Sequence, residues 1–343
     1  MRTDEYLEEL CALAGVSGDE GAVRDYIISK LSGEFEYTVD PLGSVIVRVK
    51  GRNPAKHRLM FSAHMDEVGL IVTFVCSDGC LKFSSVGGID SRVLYGKRVF
   101  VGKDRVPGVI AGTAVHNLSD EELKTAPDEK TLVIDIGCSD KESAEKLVRQ
   151  GDTVIFDSEF ARFGENNETY CSRAIDDRAG CAIMLKMIED VPEYDTTFCF
   201  VVQEEVGLRG AKAAAYTADP EFAIVLETTT AADIPSSKAE KRVCEVGKGA
   251  VVSFMDRHTL YDRELYRMAF DTAAEKNIPC QTKSVVAGGN DAGAIHVSRG
   301  GVRTAAVSLP CRYLHSPSCV IEKSDLEAVY RLAKELSARI QQL

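Results

Sequence analysis

From residue 177 onward the chain alternates apolar runs with helical spacing, and that alternation admits few folds. D-R-A-G-C-A-I-M-L-K-M-I at 177–188 spaces its apolar residues as a helix does. T-F-C-F-V-V at 197–202 and A-I-V-L at 223–226 are continuous apolar runs, the pattern of strands covered on both faces. R-E-L-Y-R-M-A-F-D-T-A-A at 263–274 is helical, A-A-V-S-L at 305–309 is a strand, and 323–342 is a closing helix. An irregular stretch follows the strand at 223–226. Such alternation predicts an α/β fold, a mostly parallel mixed sheet flanked by helices. The N-terminal part fits the same layers. Helical spacing covers 4–14 and 20–31, with Ser17 and Asp19 as caps for the second helix. Strands follow in V-I-V-R-V at 45–49 and R-L-M-F-S-A at 58–63.

Between these halves the texture changes. G-L-I-V-T-F-V at 69–75, K-R-V-F-V at 97–101 and P-G-V-I-A at 107–111 are short β-branched runs separated by glycine turns, with one helix near 140–149. The expected organisation is a first α/β part at 1–66, an inserted β-rich, barrel-like domain at 67–161, and a second α/β part at 162–343.

Several strands end in an ionisable residue. R-L-M-F-S-A runs into His64 and Asp66, F-C-F-V-V-Q into Glu204 and Glu205, and A-I-V-L into Glu227. His315 follows the strand at 305–309, and Asp176 and Asp177 precede a helix. In open parallel sheets the crevice beyond the carboxyl ends of the strands is where ligands bind. Any one of these residues alone reads more simply as a cap, a solvated turn or a partly buried histidine. Adjacent Glu204 and Glu205 resist that reading, because two carboxylates directly after an apolar strand repel unless a cation or protons intervene. Mixed imidazole and carboxylate donors suit zinc, cobalt or manganese better than magnesium or calcium. Five side chains can serve two ions if one carboxylate bridges them. Asp66, two residues after His64, can accept the imidazole's second N–H.

The motifs A-H-M-D-E-V-G at 63–69, A-I-D-D-R at 174–178, V-Q-E-E-V-G at 202–207 and R-Y-L-H-S at 312–316 resemble the glutamyl-aminopeptidase and cellulase M family of dinuclear metallo-aminopeptidases, which includes the tetrahedral aminopeptidases. G-G-I-D-S-R-V-L at 87–94, I-D-I-G-C-S-D at 134–140 and G-G-N-D-A-G-A-I at 288–295 extend the resemblance over nearly the whole chain. The resemblance implies two divalent metal ions, zinc with cobalt or manganese as alternatives, held by His64, Asp176, Glu205, Glu227 and His315. It implies a bridging Asp176, Glu204 as general base, Asp66 orienting His64, and a cis peptide between Asp176 and Asp177. The implied substrates are short peptides cut at the N-terminus. The inserted domain is expected to dimerise, with dimers assembling into a tetrahedral dodecamer. Two positions depart from the family pattern. Glu227 stands where aspartate is usual, with Asp233 as the fallback ligand, and Asn290 stands where threonine is common.

Composition narrows the alternatives. A net charge of −12 argues against nucleic acid or an anionic membrane as the main partner. No apolar run approaches a membrane span of about 18 residues. The charged, helical N-terminus M-R-T-D-E-Y-L-E-E-L does not read as a signal peptide, so a cytoplasmic location is expected. The eleven cysteines include no C-x-x-C pair and read as reduced, mostly buried thiols. The competing readings are an aminoacylase or carboxypeptidase-type hydrolase on the same site, an endoglucanase, and a non-catalytic scaffold. The chain has no tryptophan to serve as a sugar platform, which weighs against the endoglucanase.

Overall fold

The computed structural model describes residues 1–343 apart from Ser32 and Glu34. Helices α1 (Thr3–Cys11) and α2 (Gly21–Lys30) lead into strands β1 (Glu36–Val39), β2 (Val45–Val49) and β3 (Leu59–His64). The chain continues through β4 (Gly69–Val75), β5 (Leu81–Val86), β6 (Arg98–Val101), β7 (Val106–Ala111), β8 (Val133–Asp135), the short helix α3 (Lys141–Glu145) and β9 (Thr153–Phe156). Then come β10 (Ala161–Phe163), β11 (Thr169–Ser172), α4 (Ile175–Glu189), β12 (Thr196–Val201), α5 (Arg209–Ala218) and β13 (Phe222–Thr230). The last elements are β14 (Ala250–Val252), α6 (Arg263–Glu275), β15 (Cys280–Thr282), α7 (Ala292–Ile295), β16 (Arg303–Cys311), β17 (Cys319–Glu322) and α8 (Lys323–Ile340).

Among the described residues, eight strands form one mixed sheet in the order β1-β2-β12-β3-β13-β16-β14-β15. Its centre is parallel, with β3 between β12 and β13 and β16 beyond β13. These strands are apolar throughout because both faces are covered. Phe61, Phe198, Phe200, Ile224 and Leu226 pack on one face against α1, α4, α6 and α8. Met60, Cys199, Val201, Ala223 and Val225 pack on the other against α5 and α7. The two-residue period of a strand divides the runs between the two layers. Strands β4-β5-β8-β7-β6-β9 close into a barrel with its own core of Leu70, Val72, Leu81, Phe83, Val99 and Ile134. Strands β10, β11 and β17 form a small third sheet.

Two local expectations are corrected. Ser17 and Asp19 do not cap α2. The Ser17 hydroxyl donates to Asp66, 2.7 Å away, Asp19 accepts from the Thr153 hydroxyl, and Glu20 occupies the cap position. The strand at 223–226 runs on as β13 to Thr230, paired with β16 through Cys311, so the irregular stretch begins only at Ala231. All eleven cysteines are free. No helix of the described residues is long and apolar enough to cross a membrane.

Phe61 and Phe198 stack at the sheet centre, ring centroids 5.4 Å apart, and neither is exposed. Phe61→Ala is expected to destabilise the protein by about 3–5 kcal/mol, read as a lowered urea midpoint with an unchanged denaturant slope.

Candidate metal centre

The sheet register brings the first two candidates together. His64 ends β3 beside Val201 of β12, while Ser62 of β3 pairs with Val225 of β13. Two residues further along β13, Glu227 therefore lies next to His64 on the same face. Its Oε1 is 3.5 Å from His64 Nε2. Asp176, at the start of α4, places Oδ1 at 3.4 Å from the same nitrogen. Its other oxygen is 3.6 Å from Nε2 of His315, and Glu205 Oε2 is 3.5 Å from that nitrogen. Asp176 thus stands between two imidazoles, each faced by one further glutamate. The Asp176–Asp177 peptide bond is cis.

Both imidazoles are oriented through Nδ1. His64 Nδ1 lies 3.0 Å from the backbone carbonyl of Asp66, and His315 Nδ1 lies 2.7 Å from the carbonyl of Gly88. A carbonyl only accepts, so each Nδ1 carries the hydrogen and each Nε2 is turned toward carboxylates, its lone pair facing them whenever the ring is neutral. A lone pair facing anions is repulsive unless a proton or a cation sits between them. Spacings of 3.4–3.6 Å match the edge of a coordination tetrahedron, about 3.4 Å for donors 2.0–2.1 Å from zinc. Asp176 Oδ1 and Asp177 Oδ2 are buried without a hydrogen-bond partner. Donor atoms of His64, Asp176 and Glu205, and of His64, Asp177 and Glu227, converge within 4.8 Å of one another. The residues present fit divalent ions.

The electrostatics have the same character. Burial draws the His64 imidazole down, but Glu227, Asp176 and Asp66 outweigh it and hold the ring well above its ordinary value. His315, also opposed by burial, is held up at about 10 by Asp176 and Glu205. Burial pushes Glu204 and Glu227 well above the usual carboxylate range, and burial with Asp176 nearby raises Glu205 to about 7. Asp176 is buried too, yet its two imidazoles hold it well below that range. So many acids cannot ionise together in a dry site without added positive charge.

The supports were only partly readable in advance. The Asp66 carboxylate is 3.5 Å from His64 Nδ1, farther than its own carbonyl. Its oxygens instead accept the backbone N–H groups of Glu204 at 3.0 Å and Glu205 at 3.1 Å. That pins the turn after β12, where Gln203 has a φ of +57°. Asp233 is not brought to the cluster. It pairs with Arg312 through two contacts of 2.7 Å. Asn290 faces inward, accepting from the Tyr261 hydroxyl and the Ala292 N–H. Beneath the cluster, Glu67 is buried between Arg173 and Arg178, whose guanidiniums also reach the carbonyls of Leu13, just after α1, and Leu10, in its last turn. Glu67 and Arg178 sit inside the motifs at 63–69 and 174–178, a signal that could have marked them. The cluster opens into a cavity of about 510 Å³ whose walls include Thr228–Thr230, His258, Lys283, Gly288 and Gly289. His258 and Lys283 lie in chain that offered no such signal.

An open sheet that gathers two imidazoles and a set of buried carboxylates at its strand ends defines a metal-dependent hydrolase. Residues 43–332 match the M42 glutamyl aminopeptidase family, and the chain belongs to it. It is 32% identical over 343 residues to the lysyl aminopeptidase of Pyrococcus furiosus, covering 97% of this chain and 96% of that one. Its structure superposes on an aminopeptidase of the archaeon Desulfurococcus kamchatkensis with a TM-score of 0.91 at 32% identity, over 97% of this chain and 94% of the other. The TET1 peptidase of Pyrococcus horikoshii, which can assemble into a tetrahedron or a large octahedral shell, superposes with a TM-score of 0.85 at 34% identity, over 98% and 99% of the two chains. The activity is that of an aminopeptidase, a metal-dependent peptide hydrolase.

A divalent ion entering the cluster has to displace protons from groups such as Glu205 and His315. Zinc added to the metal-stripped protein in weak buffer near neutral pH is expected to release protons. Its apparent affinity should weaken as the pH falls through about 7, where Glu205 takes up its proton. Calorimetric titration in buffers of different ionisation enthalpy measures both.

Proposed function

We propose that the chain removes N-terminal residues from short peptides using two divalent ions and Glu204 as general base. The position of Asp176 carries the proposal, since its two oxygens face His64 Nε2 and His315 Nε2 separately, at 3.4 and 3.6 Å. His64 and Glu227 would hold one ion and Glu205 and His315 the other, with Asp176 offering one oxygen to each. Zinc is the ion assigned, and cobalt and manganese suit the same donors. When bound, the ions supply Lewis acidity toward the scissile carbonyl and bring a water molecule's proton loss toward neutral pH.

Glu204 sits where a base is needed. It lines the cavity beside His64 and Asp176, and it is held by the Asp66 carboxylate through its own N–H. It takes the proton of the attacking water and returns it to the leaving amine nitrogen. A group that must do both works best with its affinity for protons raised from the ordinary carboxylate value, the direction in which burial moves Glu204. Asp66 is a positioning residue, acting on Glu204 and Glu205 through their backbone and on His64 through its carbonyl.

Three further assignments rest on the same family reading. The barrel formed by β4–β9 is the dimerisation module within the segment 67–161, and the protein works as a homo-oligomer built from dimers, with a tetrahedral dodecamer as the complete assembly. Its location is cytoplasmic.

Glu204→Gln is expected to lower kcat by about 10²-fold or more while the protein keeps its full metal content. His315→Ala is expected to lose metal. Aminoacyl-coumarin turnover and elemental analysis on the same samples separate the two effects. Near-normal turnover by Glu204→Gln with metal bound would sink the assignment of the base.

A further inference from the structure

Asp66 is not the only carboxylate that holds the turn carrying Glu204 and Glu205. The successive N–H groups of Gln203, Glu204 and Glu205 all donate to side-chain carboxylates. Asp66 accepts the last two, and Glu20 accepts the first at 3.1 Å. Successive N–H groups turned the same way form a concavity suited to an anion, and here the fold fills it from within. Gln203 has a left-handed φ of +57°, unfavourable for a residue with a Cβ, so the turn keeps its shape only with outside support.

Glu20 departs from the role its place in the chain suggests. It is the N-cap residue of α2, where a side chain ordinarily accepts the helix's own first N–H groups, yet it makes no such bond. Its Oε1 instead accepts the N–H of Gly18 at 2.8 Å and that of Gln203, 183 residues away in sequence. Glu20 is only 5% exposed. Burying a carboxylate is costly, and the helix it could have capped gains nothing from it. The segment around it is itself anchored. The Ser17 hydroxyl reaches Asp66 at 2.7 Å, and the Thr153 hydroxyl reaches Asp19 at 2.7 Å. One short stretch, 17–20, thus steadies Asp66 with one side chain and takes the Gln203 N–H with another.

Glu204 depends on this support. Among the described residues it makes hydrogen bonds only through its backbone: its N–H donates to Asp66, and its carbonyl accepts from Gly207 and Leu208, both at 2.9 Å. With no partner on the side chain, the aim of the carboxylate follows from where the turn sets its Cα. Releasing the Gln203 N–H frees the peptide just before Glu204 to rotate. We propose that Glu20 is a positioning residue for the hydrolysis, holding the turn so that the Glu204 carboxylate reaches the attacking water. This rests on the reading of Glu204 as general base and adds the N-terminal segment to its support. Glu20 acts through one backbone N–H and not on the substrate.

The test uses the metal-loaded enzyme and the aminoacyl-coumarin amide that the wild type turns over best. Glu20→Ala is expected to lower kcat by about tenfold or more, with KM within about twofold and full metal content. Glu20→Gln keeps an oxygen that can accept the same N–H groups and should return to within about threefold of the wild type, whereas Glu20→Asp, one methylene short, should not. In a Glu204→Gln background Glu20→Ala should lower turnover no further, because the base it positions is already gone. Hydrogen exchange should find the Gln203 amide protected in the wild type and faster in Glu20→Ala. The wild-type amide needs neither turnover nor a variant, and it decides with Glu20→Gln and Glu20→Asp if Glu20→Ala fails to fold. Wild-type-like kcat in folded Glu20→Ala overturns the proposal, as does an unprotected Gln203 amide in the wild type. So does a Glu20→Gln as slow as Glu20→Ala, or a loss that persists undiminished in the Glu204→Gln background. Near-normal turnover by Glu204→Gln defeats the base reading alone, and the Gln203 amide and the kcat of Glu20→Ala then decide Glu20 separately.

Discussion

The architecture depends on keeping like charges together in a dry place. Asp176, Glu205, Glu227 and Glu204 converge where strand ends meet a helix start, with the imidazoles of His64 and His315 among them. Left alone, such a cluster repels itself. The fold tolerates it because parallel strands and the buried α4 hold the backbone rigidly, so the side chains cannot relax apart. What resembles a flaw in stability is the property that gives divalent ions a strong hold on these residues.

The layer beneath shows how that rigidity is arranged. Asp66 spends its carboxylate on the N–H groups of Glu204 and Glu205 and on the Ser17 hydroxyl. Glu67, one residue later, is sandwiched by Arg173 and Arg178. Removing one member of such a buried ionic group costs about 3–5 kcal/mol, because the remaining charges stay behind without partners. The same guanidiniums reach the carbonyls of Leu10 and Leu13, tying the end of α1 to the floor of the site. A short run of chain, 64–67, thus supplies a donor facing the cluster, the carbonyl that sets its tautomer, the clamp on the base and the anchor to the N-terminal helix.

Much of this was legible in the sequence because it is periodic. Strands covered on both faces leave apolar runs, as at 58–63 for the fully buried β3, and the shorter β-branched runs at 45–49 and 69–75 coincide with β2 and β4. A charged residue at the end of such a run stands out against it, which is why His64, Glu204, Glu205 and Glu227 could be picked out. Short elements escaped. Strands of three or four residues such as β8, β14 and β15 carry too little pattern to separate from loops. The caps of α2 were misjudged because Ser17 and Asp19 have tertiary partners that local rules do not see. Glu227 could be flagged as a departure from aspartate, but its reach to 3.5 Å from His64 comes from the β3–β13 register. Lys283 and His258 lie in irregular chain, where nothing but the closed fold says what faces a cavity.

The bond from His315 to the Gly88 carbonyl spans 227 residues of sequence and joins the two halves of the architecture. Gly88 follows β5, a barrel strand, while His315 sits on the loop between β16 and β17. The barrel therefore sets the tautomer of one imidazole in the main sheet's crevice. It is not a detachable handle. A shortened chain from which the barrel had been cut would keep all the donor side chains of the cluster, yet one imidazole would have lost the group that aims it. Any force transmitted through the barrel, from a neighbouring copy or from a loop insertion, has a direct mechanical path of one hydrogen bond to the reacting centre.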